Sequence, residues 1–144
     1  MDTELLKRQL VEHEGRRRFP YTDTVGKLTI GVGRNLTDVG LSDTEIDACL
    51  DNDVARTQAD LDRVLPWWSA MSEVRQRVLC DMCFNLGITR LRKFVRTLAA
   101  MEAGDYNLAA KGMLASKWVG QVGKRADRLA RMMSTGEDVA LTDV

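Results

Sequence analysis

Residues 14–33, EGRRRFPYTDTVGKLTIGVG, decide how the rest of this sequence is interpreted. Glu14 ends an apolar pattern with helical spacing, and Gly15 follows it directly as a common helix stop. β-forming residues then flank the turn residues of positions 23–26, which predicts a small antiparallel sheet over residues 18–34. The stretch therefore joins a helix to a sheet.

Helical patterns lie on both sides of this stretch. Before it, apolar residues on one stripe predict a helix over residues 3–14, with Thr3 as its N-cap. After it, Ser42 and Glu45 form a capping box that opens a connecting helix over about 43–65. Further helices are expected over residues 73–86, 90–101, 105–115 and 124–134. The tail after Gly136 is expected to fray or to dock as one short turn.

The order of these elements, with no internal repeat, predicts an α+β fold that is mainly helical. The 144 residues are 44% hydrophobic, enough for one domain or two small lobes that share a core. No apolar run approaches the roughly 18 residues that span a membrane, so we expect no stable membrane insertion. The amino-terminal residues show no signal-peptide pattern, so we expect no export signal in them. An odd number of cysteines, three, argues against a disulfide framework and for a reducing compartment.

Charge is unevenly distributed although the net charge is zero. Residues 1–84 hold 11 Lys and Arg against 15 Asp and Glu, whereas residues 85–134 hold 10 against 3. A basic surface attracts anionic polymers, among them nucleic acid and the bacterial wall, although a merely solvated helical surface explains the imbalance equally well. Aromatics such as Trp118 and Tyr106 are too scattered for a base-stacking platform, so we expect no nucleic-acid partner.

Three polar residues of the central stretch could act together. Glu14 at a helix C-terminus faces the negative end of the helix dipole, which favours the protonated form of a general acid, while the neighbouring arginines act in the opposite direction. Asp23 in a polar turn is a carboxylate that could act on water, and Thr29 on the next strand could hold that water. Each has an ordinary structural role alone, but an acid paired with a carboxylate is what glycoside hydrolysis requires.

The order Glu, eight residues, Asp, five residues, Thr and then I-G-x-G resembles the active-site pattern of the tailed-phage lysozymes, the endolysins of glycoside hydrolase family 24. Residues 84–87, FNLG, are similar to the family's F-N/Q-x-G at the end of its central helix. Residues 116–126, SKWVGQVGKRA, resemble its S-[RK]-W-x-x-Q-x-x-x-R-A segment, and Thr135-Gly136 follows. Nearly the whole chain is covered, and the short loop at residues 38–40 resembles the compact branch of the family.

The resemblance implies a lysozyme-like fold with two lobes in one domain over residues 1–144. The N-terminal lobe would cover about 13–60 and hold the small sheet. The C-terminal helical lobe would cover about 66–144, with the first helix, 3–14, close to it.

The resemblance also implies an activity: cleavage, with inversion, of the β-1,4 bond between N-acetylmuramic acid and N-acetylglucosamine in bacterial peptidoglycan. Glu14 would be the general acid, Asp23 the base that activates water, and Thr29 the residue that orients the water. Six positions are implied to bind substrate: Gly33, Phe84, Asn85, Thr97, Gln121 and Arg125. Arg34 and Gly112 stand where some relatives have histidine and asparagine.

No metal or organic cofactor is implied, and we expect a monomer that causes lysis of the host cell. Synthesis is expected in the host bacterial cytoplasm, with release to the periplasmic cell wall through a separate pore.

Other functions remain open at this point. A lytic transglycosylase uses a catalytic glutamate without partners such as Asp23 and Thr29. A virion-associated wall-degrading module or a non-catalytic wall-binding module could keep the same fold. Cys80 and Cys83 have the spacing of a redox or zinc pair, but they lie within a helix pattern and lack a second ligand pair, so buried thiols are the simpler interpretation.

Overall fold

A computed structural model of the chain describes residues 1–139. In chain order it shows helix α1, strands β1 to β3 and helices α2 to α8. Their bounds are α1 Thr3–Glu14, β1 Arg17–Thr22, β2 Leu28–Gly31, β3 Arg34–Asn35, α2 Asp43–Val64, α3 Glu73–Leu86, α4 Ile88–Leu91, α5 Val95–Ala103, α6 Tyr106–Ala115, α7 Trp118–Val122 and α8 Lys124–Thr135. A 3-10 helix, Pro66–Ala70, lies between α2 and α3. The predicted α+β class, mainly helical with a small antiparallel sheet, is confirmed.

The chain divides by its internal contacts into two units, Met1–Cys49 and Leu50–Val144. The predicted bounds of the two lobes stay a prediction. The expected docking of the tail falls partly on residues 140–144, which lie outside the described residues.

The sheet of the first unit is antiparallel, with its strands in the order β1-β2-β3. Tyr21 in β1 pairs with Thr29 in β2. The amide of Asp23 donates to the carbonyl of Lys27 at 2.9 Å, so the ladder continues into the turn. Gly26, with a φ of +84°, closes the loop between these two residues in the way that three-residue hairpin loops commonly do.

Helix α1 has the predicted bounds but a different cap. Oδ1 of Asp2 accepts a hydrogen bond from the amide of Leu5 at 3.0 Å. The prediction of Thr3 as N-cap is therefore wrong by one residue, because the Asp2 carboxylate already satisfies this free amide of the first turn. At the other end, Gly15 adopts a φ of +77° and ends the helix directly after Glu14.

Helix α2 confirms the predicted capping box. Oγ of Ser42 accepts from the amide of Glu45 at 3.2 Å, and Oε1 of Glu45 accepts from the amide of Ser42 at 3.0 Å. Two amides that the helix leaves without partners are thereby satisfied. The helix ends at Val64, shortly before the helix-breaking Pro66.

The core of the second unit is built around α3, as its apolar pattern predicts. Val78, Leu79 and Met82 are fully buried on this helix. Helix α8 packs against both α3 and α6. Most of the residues that α6 and α8 bury in the core are alanines and methionines: Ala109, Ala110 and Met113 from α6, and Ala126, Ala130, Met132 and Met133 from α8.

The helix predicted over residues 90–101 is wrong as a single element. The amides of Lys93 and Phe94 donate to carbonyls three residues before them, so the chain tightens into a 3-10-type turn after α4. Phe94 then leaves helical geometry, with a ψ of 55°, and its ring is partly buried against the core. Burial of this aromatic ring coincides with the break, which no glycine or proline marks.

Helix α7 was not predicted. Its five residues, Trp118–Val122, lie between Ser116, the C-cap of α6, and Gly123. A segment of this length is too short to show a helical period in the sequence. Trp118 is nevertheless buried in the core.

Candidate active site

Glu14 is the last residue of α1, and its side chain is exposed rather than partly buried. Its carboxyl group lies against Gly33, in the turn between β2 and β3. A Cβ at position 33 would stand 3.0 Å from Oε2 of Glu14 and 3.1 Å from Cδ. The implied substrate-binding glycine is therefore a direct neighbour of the implied acid.

Asp23 begins the turn between β1 and β2 and is partly buried. Its Oδ1 accepts hydrogen bonds from the amides of Val25 at 3.0 Å and of Lys27 at 2.8 Å. Within residues 1–139, no hydrogen bond reaches the other oxygen, Oδ2. The turn thus orients the carboxylate through one oxygen and leaves the second available to a ligand.

Thr29 is buried, at 4% exposed, on the central strand of the sheet. Its backbone pairs with Tyr21 on one side and with Asn35 on the other. The hydroxyl donates to the carbonyl of Lys27 at 3.0 Å. Because the hydroxyl proton is used in this bond, Oγ1 is left as an acceptor.

Asp23 and Thr29 lie on the same face of the hairpin. Asp23 stands opposite Lys27, and Tyr21 stands opposite Thr29. Cross-strand partners share a face, as do residues two apart on one strand. Asp23 and Thr29 are therefore diagonal neighbours, a relationship with a usual spacing of about 7–8 Å.

Arg34 joins β3 to the start of α2. Its Nη1 donates to the carbonyl of Gly40 at 3.1 Å and to Oε1 of Glu45 at 2.7 Å. The hydrogen bond from Arg34 and those from Ser42 lower the pKa of Glu45 to about 2. Arg34 is thus engaged in holding the first unit together.

Two implied substrate-binding residues, Thr97 and Gln121, line one pocket of the second unit, of about 790 Å³. Four cationic residues line the same pocket, and we call it the basic pocket: Arg90, Lys93, Arg96 and Lys117. Gly112 lies at its wall, where a Cβ would overlap with Oγ1 of Thr97. The missing side chain at position 112 therefore makes room for the threonine hydroxyl.

The other implied residues of the second unit do not line that pocket. Phe84 and Arg125 line a separate groove of about 760 Å³. The guanidinium of Arg125 is bound to the carboxylate of Asp81, with 2.8 Å between Nε and Oδ1. Asn85 accepts a hydrogen bond from the indole of Trp118 at 2.9 Å, so its amide oxygen anchors α7 to the end of α3.

Sequence reasoning missed the position of Arg17. Its guanidinium carbon lies 4.3 Å from the centre of the Tyr21 ring, a cation–π distance. Tyr21 pairs with Thr29, so a positive charge is held near the polar face of the hairpin. The register of β1 shifts between Arg17 and Tyr21, so no regular spacing in the sequence marks this pair.

The cysteine pair on α3 has the character of buried thiols. Cys83 is buried and Cys80 is partly buried. Burial, with nearby carboxylates adding to it, raises the pKa of Cys80 to about 11, and burial likewise raises the pKa of Cys83 to about 11. Thiols with such pKa values are poor nucleophiles at neutral pH.

Metal binding and membrane insertion each require particular structural features. Within residues 1–139, no group of three or more His, Cys, Asp or Glu side chains could hold a metal ion. Over the same residues, none of the helices combines the length and the apolar character that crossing a membrane requires.

Comparison with known proteins adds to this geometry. The model of the phage lysozyme family matches residues 11–133. The chain is 30% identical to the pre-baseplate central spike protein Gp5 of Enterobacteria phage T4, over 92% of this chain but 27% of that protein. It is 21% and 25% identical to probable T4-type lysozymes 1 and 2 of Dictyostelium discoideum, over 91% of this chain and 94% of each.

The mainly helical α+β fold is consistent with a lysozyme-type protein, and the family match covers most of the chain. The chain belongs to the phage lysozyme family. All the residues that the sequence indicates for catalysis lie within the matched region. Membership supports a lysozyme-type glycosidase of the muramidase kind.

Proposed function

We propose that the protein hydrolyses the β-1,4 bond between N-acetylmuramic acid and N-acetylglucosamine in bacterial peptidoglycan, with inversion at the anomeric carbon. Glu14 protonates the leaving glycosidic oxygen, Asp23 deprotonates the attacking water, and Thr29 orients that water. The residues stand in three different local structures, a helix end, a hairpin turn and a central strand.

The observation that carries the proposal is the placement of two carboxyl groups at opposite ends of β2. Glu14 lies against Gly33, just beyond one end of the strand, and Asp23 belongs to the turn at the other end. The four residues of this strand alone span roughly 10 Å at about 3.4 Å per residue, and the residues that hold both carboxyl groups lie beyond its ends. Separations of roughly 6.5–9.5 Å leave room for a water, whereas about 5–5.5 Å suits direct attack by a carboxylate. Positions at opposite ends of the strand argue against the short separation that direct attack needs, and they favour a water between the two carboxyl groups.

Thr29 supports the same assignment through its hydrogen bonding. A water between Asp23 and Thr29 can donate one proton to the available Oδ2 and the other to Oγ1. The lone pair of the water oxygen is then directed away from both residues and towards the sugar. Donation from the Thr29 hydroxyl to Lys27 keeps Oγ1 in this acceptor role.

Mass spectrometry of digested, purified peptidoglycan tests the activity. Hydrolysis predicts fragments that end in a reducing N-acetylmuramic acid. Fragments lighter by one water, with anhydromuramic ends, would instead indicate a lytic transglycosylase. If the peptidoglycan stays undigested, both enzymatic functions are excluded and a non-catalytic wall-binding module remains.

The match to the spike protein of phage T4 favours a second candidate function, in which the same activity belongs to a module carried on the virion. That protein is much longer than this chain, which spans 27% of it. A wall-degrading module carried on a virion would be detected by mass spectrometry of purified phage particles. A free endolysin that lyses the host, synthesised in the bacterial cytoplasm and released through a separate pore, would be absent from them.

A further inference from the structure

The basic pocket is formed wholly within the second unit. Its volume is about 790 Å³, in the range of small-molecule and peptide sites. Leu86, Phe94 and Trp118 give it apolar walls. The indole N–H of Trp118 is already donated to Asn85, so this residue offers the pocket an apolar surface only.

The charge around this pocket has one sign. Arg90, Lys93, Arg96 and Lys117 line it, and no aspartate or glutamate does. Within residues 1–139 none of the four forms an ion pair, although Arg90 donates to Oε1 of Gln121 at 3.3 Å. The groove that holds Arg125 differs, because Asp81 neutralises that guanidinium. Cations that line a cavity without carboxylates among the other lining residues attract an anionic ligand.

We propose that the basic pocket binds the free carboxylates of peptidoglycan stem peptides, and that the protein prefers peptidoglycan in which these carboxyl groups are not amidated. This inference rests on the proposed function. The glycan strand is itself uncharged, because its amino groups are acetylated and the lactyl carboxyl is joined to the peptide. The stem peptides therefore supply the anionic groups of this substrate.

The apolar lining of the pocket favours a peptide ligand over a phosphodiester polymer of the bacterial cell wall. A stem peptide carries methyl and methylene groups between its carboxylates, and these match a pocket with apolar walls and cations. A polyol phosphate chain would present hydroxyl groups to Leu86, Phe94 and Trp118 and would lose hydration without gaining hydrogen bonds.

The test compares two peptidoglycans that differ only in amidation of the stem-peptide carboxyl groups. We expect the wild-type protein to cleave the free-acid form with about tenfold higher kcat/KM. The double variant Lys93→Gln/Arg96→Gln should lose most of this preference, with exposed ion pairs each contributing modestly. The matched control, Arg92→Gln/Lys111→Gln, removes the same charge from exposed positions outside the pocket and should keep the preference.

A binding measurement separates this inference from the proposed activity. The probe is the tetrapeptide L-Ala-γ-D-Glu-diaminopimelate-D-Ala as free acid and as amide, and the readout is the NMR signal of the Trp118 indole. The free acid should shift this signal at lower concentration than the amide, and Lys93→Gln/Arg96→Gln should abolish the difference. Equal binding of both forms, equal cleavage of both peptidoglycans, or displacement of the peptide by poly(glycerol phosphate) at equal charge concentration would overturn the inference. Absence of cleavage together with selective binding would overturn the proposed function alone.

Discussion

The carboxyl group of Glu14 lies directly against Gly33. A Cβ at position 33 would stand 3.0 Å from Oε2, so the carboxyl group would have to shift if this residue of the turn between β2 and β3 were not a glycine. Gly15 ends helix α1 directly after Glu14. The helix end and the glycine turn together determine where the carboxyl group of Glu14 lies.

Gly33→Ala should lower activity about tenfold, because its Cβ would force the carboxyl group of Glu14, the proposed acid, to move by a few tenths of an ångström. The φ of +65° at this position adds a loss of unfolding free energy of about 1–2 kcal/mol. Rates of peptidoglycan solubilisation and urea denaturation measure the two effects separately.

Gly31→Ala is the matched control for that variant. Gly31 has a φ of +70°, and a Cβ there would meet no atom within 4 Å. It should lose similar stability but retain activity. Equal losses of activity in both variants would show that the contact with Glu14 is not the reason.

Glu14→Gln should lower activity by at least about 10²-fold with little change in stability, since it keeps the shape of the side chain but removes the transferable proton. Glu12→Gln, also exposed on α1, removes the same charge and should remain active. Turbidity decrease of permeabilised cells measures both. A Glu14→Gln protein that clears cells at the wild-type rate would exclude this residue as the acid.

Glu45→Gln should change how stability depends on pH. The pKa of Glu45 is lowered from its usual 4.5 to about 2, so its ionised form stabilises the folded protein above about pH 4.5 and this contribution is lost as the pH falls towards 2. The unfolding free energy of the wild type should therefore fall more steeply than that of Glu45→Gln over this range. The glutamine can still accept from Ser42, so the variant tests the pair with Arg34.

Asp47→Asn is the control on the same helix, where it removes a charge without touching Arg34. Its pH dependence of denaturation between pH 4.5 and 2 should follow the wild type. A Glu45→Gln curve parallel to the wild type would contradict the role given to the Arg34–Glu45 pair.

Gly112→Ala should destabilise the second unit by about 1–3 kcal/mol, because its Cβ would overlap with Oγ1 of Thr97 and overpack this contact. Gly120→Ala on α7 meets nothing within 4 Å and should gain up to about 1 kcal/mol from helix propensity. Denaturant unfolding distinguishes them. Stabilisation by both would show that helix propensity, not the threonine contact, governs position 112.

Local signals in the sequence were sufficient for most of the fold. The bounds of α1 and the capping box of α2 follow from residues adjacent in the chain, Gly15, Ser42 and Glu45, whose effects do not depend on distant partners. The break at Phe94 accompanies burial of its ring in a core made by other helices. Burial of that kind has no local signal in the sequence.

Local sequence signals likewise predict one part of the candidate site but not the other. The Asp23 turn and the Thr29 strand were predictable from turn and β-forming residues. The contact between Glu14 and Gly33 was not predictable, because it joins two segments that meet only in the folded protein. The charge imbalance of residues 85–134 indicated a basic surface, but it could not show that four of those cationic residues line one pocket.

The stereochemistry of the product tests the central claim, that Asp23 acts through a water held by Thr29. Proton NMR of a short peptidoglycan oligomer during digestion resolves the two anomers of the new reducing end before mutarotation mixes them. Attack by a water on the face opposite the leaving group predicts the α-anomer first from the β-linked substrate. Initial appearance of the β-anomer would make Asp23 a nucleophile, contradict the carboxyl spacing inferred along β2 and leave Thr29 without its role.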